Sequence, residues 1–187
     1  MEQLIRSLET APVVTRGEYE YFVHPVTDGI PLVEPALLRE ISRAILETSA
    51  VAGATKILTA EAMGIHIATA LSLESDLPFV IARKRSYGFE DEIPVHQETG
   101  YGESELYVNG IEEGDRLLVV DDVLSTGNTL SALTSAATQS GAEIESIVVV
   151  IRRDTADTEV DLPAPVTHLV AVEIDDGSVE IVDSIAD

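Results

Sequence analysis

Apolar residues along this chain fall into two rhythms, and the switches between them mark its elements. Leu37, Leu38, Ile41, Ile45 and Leu46 recur at helical spacing behind Pro35, which predicts an amphipathic helix with proline in its first turn. Leu4, Ile5 and Leu8 give one apolar face to a short helix within 1–10. Runs at 18–24, 56–59, 77–82, 116–120 and 147–151 read as strands, and helical patterns at 65–73 and from Leu130 onward lie between them. Strand and helix in repeated succession predict an α/β domain with a mainly parallel central sheet flanked by helices. The tail alternates apolar and polar at 167–174 and 179–182 around Asp175-Asp176-Gly177-Ser178, a terminal hairpin. Residues 25–31 read as a turn-rich loop. Residues 86–110 show no clear period until Leu106-Tyr107-Val108 resumes a strand; so long a polar, glycine-containing segment predicts a flexible lid over about 86–105.

Composition narrows the class. At 187 residues, without repeats or linkers, the chain is expected to form a single domain, 1–187. No run is long enough to span a membrane, and no apolar signal region opens the chain. Cysteine is absent, which excludes disulfides and thiolate metal sites and points to the cytoplasm. Acids outnumber bases 34 to 11, for a net charge of −23, yet 45% of residues are hydrophobic, which argues against disorder. Lys56 and Lys84 are the only lysines. A folded, acidic, lysine-poor chain suits concentrated salt, where screening mutes self-repulsion, so a halophilic setting is expected. The same acidity excludes a nucleic-acid partner, which requires a basic stripe.

The densest chemistry follows the strand at 116–120. In Val119-Val120-Asp121-Asp122-Val123-Leu124-Ser125-Thr126-Gly127-Asn128-Thr129, adjacent carboxylates stand where a buried strand must end. Small and hydroxyl residues then lead into a helix. Ligands of open parallel sheets bind outside the carboxyl ends of the strands, and helix N-terminal amides cradle phosphate. The aspartates, expected to be solvent-accessible there, suit vicinal hydroxyls or a metal ion. The stretch reads as a grip for ribose 5-phosphate. No Gly-Lys-Ser/Thr closes it as a Walker loop, and Gly127 stands alone where a dinucleotide fingerprint needs three glycines. A second feature is Arg83-Lys84-Arg85, directly after a strand: isolated positive charge beside the lid and the phosphate loop favours pyrophosphate. The histidines, His24, His66, His96 and His168, lack metal-ligand spacing and read as structural or incidental.

The Asp-Asp loop closely resembles the phosphoribosyl-pyrophosphate signature of the phosphoribosyltransferases. With Tyr21-Phe22-Val23-His24-Pro25-Val26-Thr27-Asp28-Gly29-Ile30-Pro31, Thr59-Ala60-Glu61-Ala62-Met63-Gly64 and Arg83-Lys84-Arg85 in this order, the chain is similar to archaeal hypoxanthine/guanine phosphoribosyltransferases of the adenine-type branch. The resemblance implies the type I phosphoribosyltransferase fold and transfer of phosphoribosyl from phosphoribosyl pyrophosphate to hypoxanthine or guanine in purine salvage. It further implies Mg²⁺, held through substrate phosphates and by Asp121 and Asp122, and a homodimer.

Residue by residue, it assigns the ribose hydroxyls and catalysis to Asp121 and Asp122, and the phosphoribosyl grip to Ser125, Thr126, Gly127, Asn128 and Thr129. Asn128 stands where the family commonly has a second glycine; asparagine tolerates left-handed backbone, so the loop is expected to hold. The pyrophosphate loop falls on Ala60, Glu61, Ala62 and Met63, with Arg83 and Lys84 beside it. Met63 replaces a common arginine, leaving backbone amides and Glu61, which acts through a metal or serves only as a helix N-terminal acid. The base is expected against Val26, Thr27 and Asp28, with Tyr101 resembling a lid tyrosine. The acid that precedes that tyrosine in adenine-type enzymes is Gly100 here, and Glu98 is nearby. Alternatives are an adenine phosphoribosyltransferase and a non-catalytic sensor of phosphoribosyl pyrophosphate.

Overall fold

The computed structural model describes residues 1–17, 19–99, 102–154 and 161–185. In chain order its elements are α1 (Glu2–Glu9), β1 (Val13–Arg16), β2 (Tyr19–Phe22), α2 (Pro25–Asp28), α3 (Pro35–Glu47), β3 (Lys56–Ala60), α4 (Gly64–Ser75) and β4 (Phe79–Ala82). There follow β5 (Ile93–Thr99), β6 (Gly102–Val108), β7 (Arg116–Leu124), α5 (Asn128–Ser140), β8 (Glu143–Arg153), β9 (Val166–Asp175) and β10 (Ser178–Ser184).

The central sheet has the order β10-β9-β8-β7-β3-β4, parallel throughout except for the antiparallel edge strand β10. Its middle strand explains the unbroken apolar run at 117–120. Leu118 and Val120 enter one core with Val148, Val150 and residues of α1, α3 and α4, among them Leu4, Ile41 and Ile67. Leu117 and Val119 enter a second core with Ile147, Val149 and Leu130 and Leu133 of α5. A sheet covered on both faces needs apolar side chains at every position of its central strands. The polar residues of β7 are therefore confined to its ends, and its carboxyl end carries Asp121 and Asp122.

Two expectations about loops are corrected. Residues 25–28 form the short helix α2, because His24 caps it: Nδ1 accepts from Val26 N–H at 3.2 Å, and Gly29 ends the helix in the left-handed region at φ 69°. With Nδ1 accepting, the ring carries its proton on Nε2, which lies 2.9 Å from Ser7 Oγ. Burial holds the His24 pKa down to about 4, so the capping form is the neutral one. The second correction concerns the lid segment, much of which is a regular hairpin. Strands β5 and β6 pair from Ile93 with Val108 to Thr99 with Gly102, and Val95, Leu106 and Val108 anchor the stem in the second core. Acidic residues between these positions hid the alternation. Ahead of the hairpin, the Glu92 carboxylate accepts from Tyr87 N–H at 2.9 Å, Asn109 Nδ2 at 3.0 Å and the Ser86 hydroxyl. These bonds, that from Asn109 foremost, hold its pKa down to about 2. The hairpin tip, with Gly100 and Tyr101, lies outside the described residues.

Candidate active site

The carboxyl end of β7 and the N-terminus of α5 meet at Ser125, Thr126 and Gly127. Gly127 takes the left-handed conformation at φ 76° and stands as N-cap of α5, donating no side chain. Asn128 is the first residue of the helix rather than a left-handed one, so the loop needs only the glycine it has. Because no side chain caps α5, its first-turn amides are presented to the space ahead of the loop, where the helix dipole favours an anion.

Asp121 and Asp122 differ from solvent-accessible strand-end acids. Asp121 is only 4% exposed and Asp122 is half-buried. Burial pushes the Asp121 pKa up, and burial with the neighbouring Asp121 charge pushes Asp122 further up, Asp28 adding to it. Among the described residues no three metal-ligating side chains converge. Two adjacent carboxyls are a donor set that fits Mg²⁺ if substrate oxygens complete its shell.

On the other side, the end of β3 meets the end of β4. Glu61 lies beside the basic cluster. Its carboxylate accepts from Arg83 Nε at 2.9 Å and from the Lys84 backbone N–H, fastening the loop to the basic cluster. Glu61 N–H donates to Ala82 O at 3.0 Å, so that amide belongs to the sheet. Ala60 is buried as the last residue of β3, Ala62 is exposed, and the Glu61–Ala62 peptide is cis. Met63 reaches back to α2: its Cε lies 3.6 Å from where a Cβ on Gly29 would sit. Arg83 also exchanges backbone hydrogen bonds with Tyr107 of β6, at 2.9 and 2.7 Å, tying the cluster to the hairpin stem. Since Glu61 offsets the Arg83 charge, Glu61→Gln is expected to bind inorganic pyrophosphate severalfold more tightly, with its magnesium dependence unchanged. Calorimetry with and without Mg²⁺ checks this; a Glu61 that held the metal would give weaker binding on substitution.

A cavity of about 200 Å³ opens beside the loop ahead of α5, lined by Tyr19, Tyr21, Phe22, Thr27, Asp28, Val123, Ser125 and Arg153. It is smaller than the ~300–1,000 Å³ of drug-sized sites, on the scale of one planar base. Thr27 and Asp28 line it, with one Asp28 oxygen accepting from His24 N–H at 3.0 Å and Thr27 Oγ1 at 2.6 Å. Val26 does not line it; it is fully buried in the main core. Sequence reading missed Tyr19, Tyr21, Phe22 and Arg153. The aromatic run of β2 was the available signal for the first three, whereas Arg153 reaches the cavity only because β8 lies next to β7.

Comparison with known proteins shows the family. A family model described as a phosphoribosyl transferase domain matches residues 33–183. The chain is 55% identical over 181 residues to the hypoxanthine/guanine phosphoribosyltransferase of Methanocaldococcus infernus, covering 96% of this chain and 99% of that protein. It is 50% identical over 188 residues to HGPRTase-like protein 2 of Halalkalicoccus jeotgali, covering 100% of both. Among solved structures, the adenine phosphoribosyltransferase of Rhodothermus marinus superposes with a TM-score of 0.74 at 26% identity, covering 91% of this chain and 97% of that one. The Saccharomyces cerevisiae enzyme complexed with adenine gives a TM-score of 0.76 at 22% identity, covering 89% and 96%, a likeness of fold alone.

Proposed function

The chain belongs to the phosphoribosyltransferase family, and from that premise we infer that it is a purine-salvage enzyme transferring 5-phosphoribosyl from phosphoribosyl pyrophosphate to hypoxanthine or guanine. The observation that carries the reading is the paired Asp121 and Asp122 at the end of β7, directly ahead of the uncapped start of α5 and beside a base-sized cavity. In the reaction the bond from ribose C1 to the pyrophosphate oxygen breaks, positive charge develops on the ring, and a purine nitrogen bonds to C1. The residues 125–129 hold the 5-phosphate through amides and hydroxyls. Asp121 and Asp122 accept from the ribose hydroxyls, and their negative charge favours the cationic transition state. Lys84, with Arg83 held beside it, faces the departing pyrophosphate.

Magnesium fits this arrangement, with Asp121 and Asp122 and substrate oxygens as its ligands; when bound it neutralises charge on the leaving group. The hairpin β5–β6, extending from a buried stem, is suited to close over the site and exclude water. A homodimer completes the reading, supported by the exposed apolar residues Ile30, Leu32, Tyr87 and Phe89. No helix among the described residues is long and apolar enough to cross a membrane. We place the enzyme in a halophilic cytoplasm on the strength of its charge of −23.

Steady-state assays with hypoxanthine, guanine, adenine and xanthine, run from dilute to molar KCl, test the reading. The expected result is Mg²⁺-dependent formation of the hypoxanthine or guanine nucleotide, with melting temperature rising as KCl increases. Binding of phosphoribosyl pyrophosphate without turnover of any purine would mark a sensor instead. A melting temperature flat or falling with salt would remove the halophilic reading.

A further inference from the structure

A second cavity, of about 510 Å³, lies along α3, floored by Ala36, Ala44 and Ile185 and overlooked by Arg39 and Arg43. Its volume falls within the ~300–1,000 Å³ of small-molecule sites. The two arginines stand about one turn apart on α3, a spacing at which like charges repel. Both are exposed, and among the described residues neither pairs with a carboxylate. Acids outnumber bases 34 to 11 in this chain, so such isolation needs a reason. Arg6, Lys56, Arg83 and Arg152 each hold an acid: Glu2, Asp115, Glu61 and Asp154. Glu40, which also lines the cavity, is engaged elsewhere. Its carboxylate accepts from Gln3 N–H at 3.1 Å and Leu4 N–H at 2.8 Å, capping α1.

Two neighbouring guanidinium forks without a counter-charge suit a phosphate, which accepts from several N–H groups at once and offsets their repulsion. Inorganic phosphate would leave most of the cavity unfilled. The floor of Ala36, Ala44 and Ile185 suits the face of a flat ring, and Ile185 is left 42% exposed by the fold. Glu47, a further turn along α3, lines the cavity and offers an acceptor to hydroxyl groups. Phosphate, hydroxyls and a flat ring together describe a nucleotide. We propose that this cavity is an accessory site for a nucleoside monophosphate, its phosphate held by Arg39 and Arg43 and its base laid on the apolar floor. The site shares no lining residue with the cavity beside Ser125 and rests on no reading of that cavity.

The test titrates GMP and inorganic phosphate calorimetrically into the unaltered protein and into Arg39→Gln/Arg43→Gln, at matched KCl. GMP should bind the unaltered protein in two components, one at the candidate active site and one here. The double variant should lose the second, each arginine removed weakening it about tenfold or more, the scale of one charge-assisted hydrogen bond. Turnover and melting temperature without GMP should hold, since both side chains are exposed and unpaired. Inorganic phosphate should bind this site roughly tenfold more weakly than GMP, because it leaves the apolar floor uncovered. Ala36→Glu keeps both arginines and sets a carboxylate beside the phosphate, in the first turn of α3 where an acid is favourable. It should remove the same component, and it carries the test if the double variant does not fold. Identical GMP titrations in all three proteins, or equal affinity for inorganic phosphate, would overturn the proposal. So would a changed oligomeric state in place of the lost component, which would mark this face as an interface between copies. An unaltered protein whose single GMP component is the one the variants lose would support this site and count against the purine transferase.

Discussion

Asp122→Asn is expected to lower turnover by roughly 10²-fold or more while raising the melting temperature. The loss follows from electrostatics: a negative charge placed against a developing cation contributes most in the transition state, and removing one such group typically costs about 10²–10³ in rate. The gain in stability follows from the environment of the pair. Both pKa values are raised, chiefly by burial. A carboxyl whose pKa is higher folded than unfolded contributes its full stability below the unfolded pKa of ~4 and loses it as pH rises through the folded pKa. At neutral pH the pair therefore works against folding, and an asparagine that cannot ionise relieves it. Each kcal/mol so gained raises the melting temperature by about 2–4 °C in a chain of this size. The gain should shrink as pH is lowered toward ~4 and vanish below it, where both acids are neutral in either state. Melting curves and turnover on Asp121→Asn and Asp122→Asn check the two effects together. A residue that merely capped the loop would give the opposite pattern, a loss of about 1 kcal/mol in stability with activity falling only as the fold does. Near-normal turnover in both variants would remove the assignment of this site.

Gly64→Ala should be strongly damaging although it adds one methyl group. A Cβ at Gly64 would sit 1.9 Å from Thr59 Oγ1, and 3.3 Å from both Thr59 Cβ and Asp121 Oδ1. Thr59 is fully buried on β3, so the clash must be met by moving α4 or the strand. Overpacking of this kind costs ~1–3 kcal/mol. Displacement of Asp121 by about 1 Å would lower turnover by ~10²-fold. Thr59 Oγ1 is buried without a hydrogen-bond partner, so deleting it forfeits no bond. The double variant Gly64→Ala/Thr59→Ala should thus recover most of the stability lost by Gly64→Ala, a coupling that a double-mutant cycle measures directly. Independent, additive effects would show that the glycine is needed for another reason.

These two sites also divide what could be read in the chain from what could not. The apolar run at 117–120, the acids that end it and the small residues before α5 are neighbours in sequence. Strand, carboxylates and the loop before α5 were legible because one continuous stretch builds them. The parallel sheet followed from periodicity, since a strand buried on both faces has no polar alternation to confuse it. The hairpin β5–β6 was illegible because its apolar residues, Val95, Leu106 and Val108, are sparse among acids and buried by α5, which lies later in the chain. Helix α2 was hidden in turn-forming residues, its cap supplied by a histidine that Ser7 holds from α1. Glu61 read as a metal ligand or a helix acid, and only the adjacency of β3 and β4 brought it to Arg83. Arg153 is far from Tyr19 in sequence and follows no motif. Sequence alone determined the family and the fold class, because short-range order encodes both. Tertiary structure decided the burial of the aspartate pair, the tethering of the basic cluster and the lining of the cavity beside Ser125, because burial and charge pairing depend on which distant segments the sheet brings together.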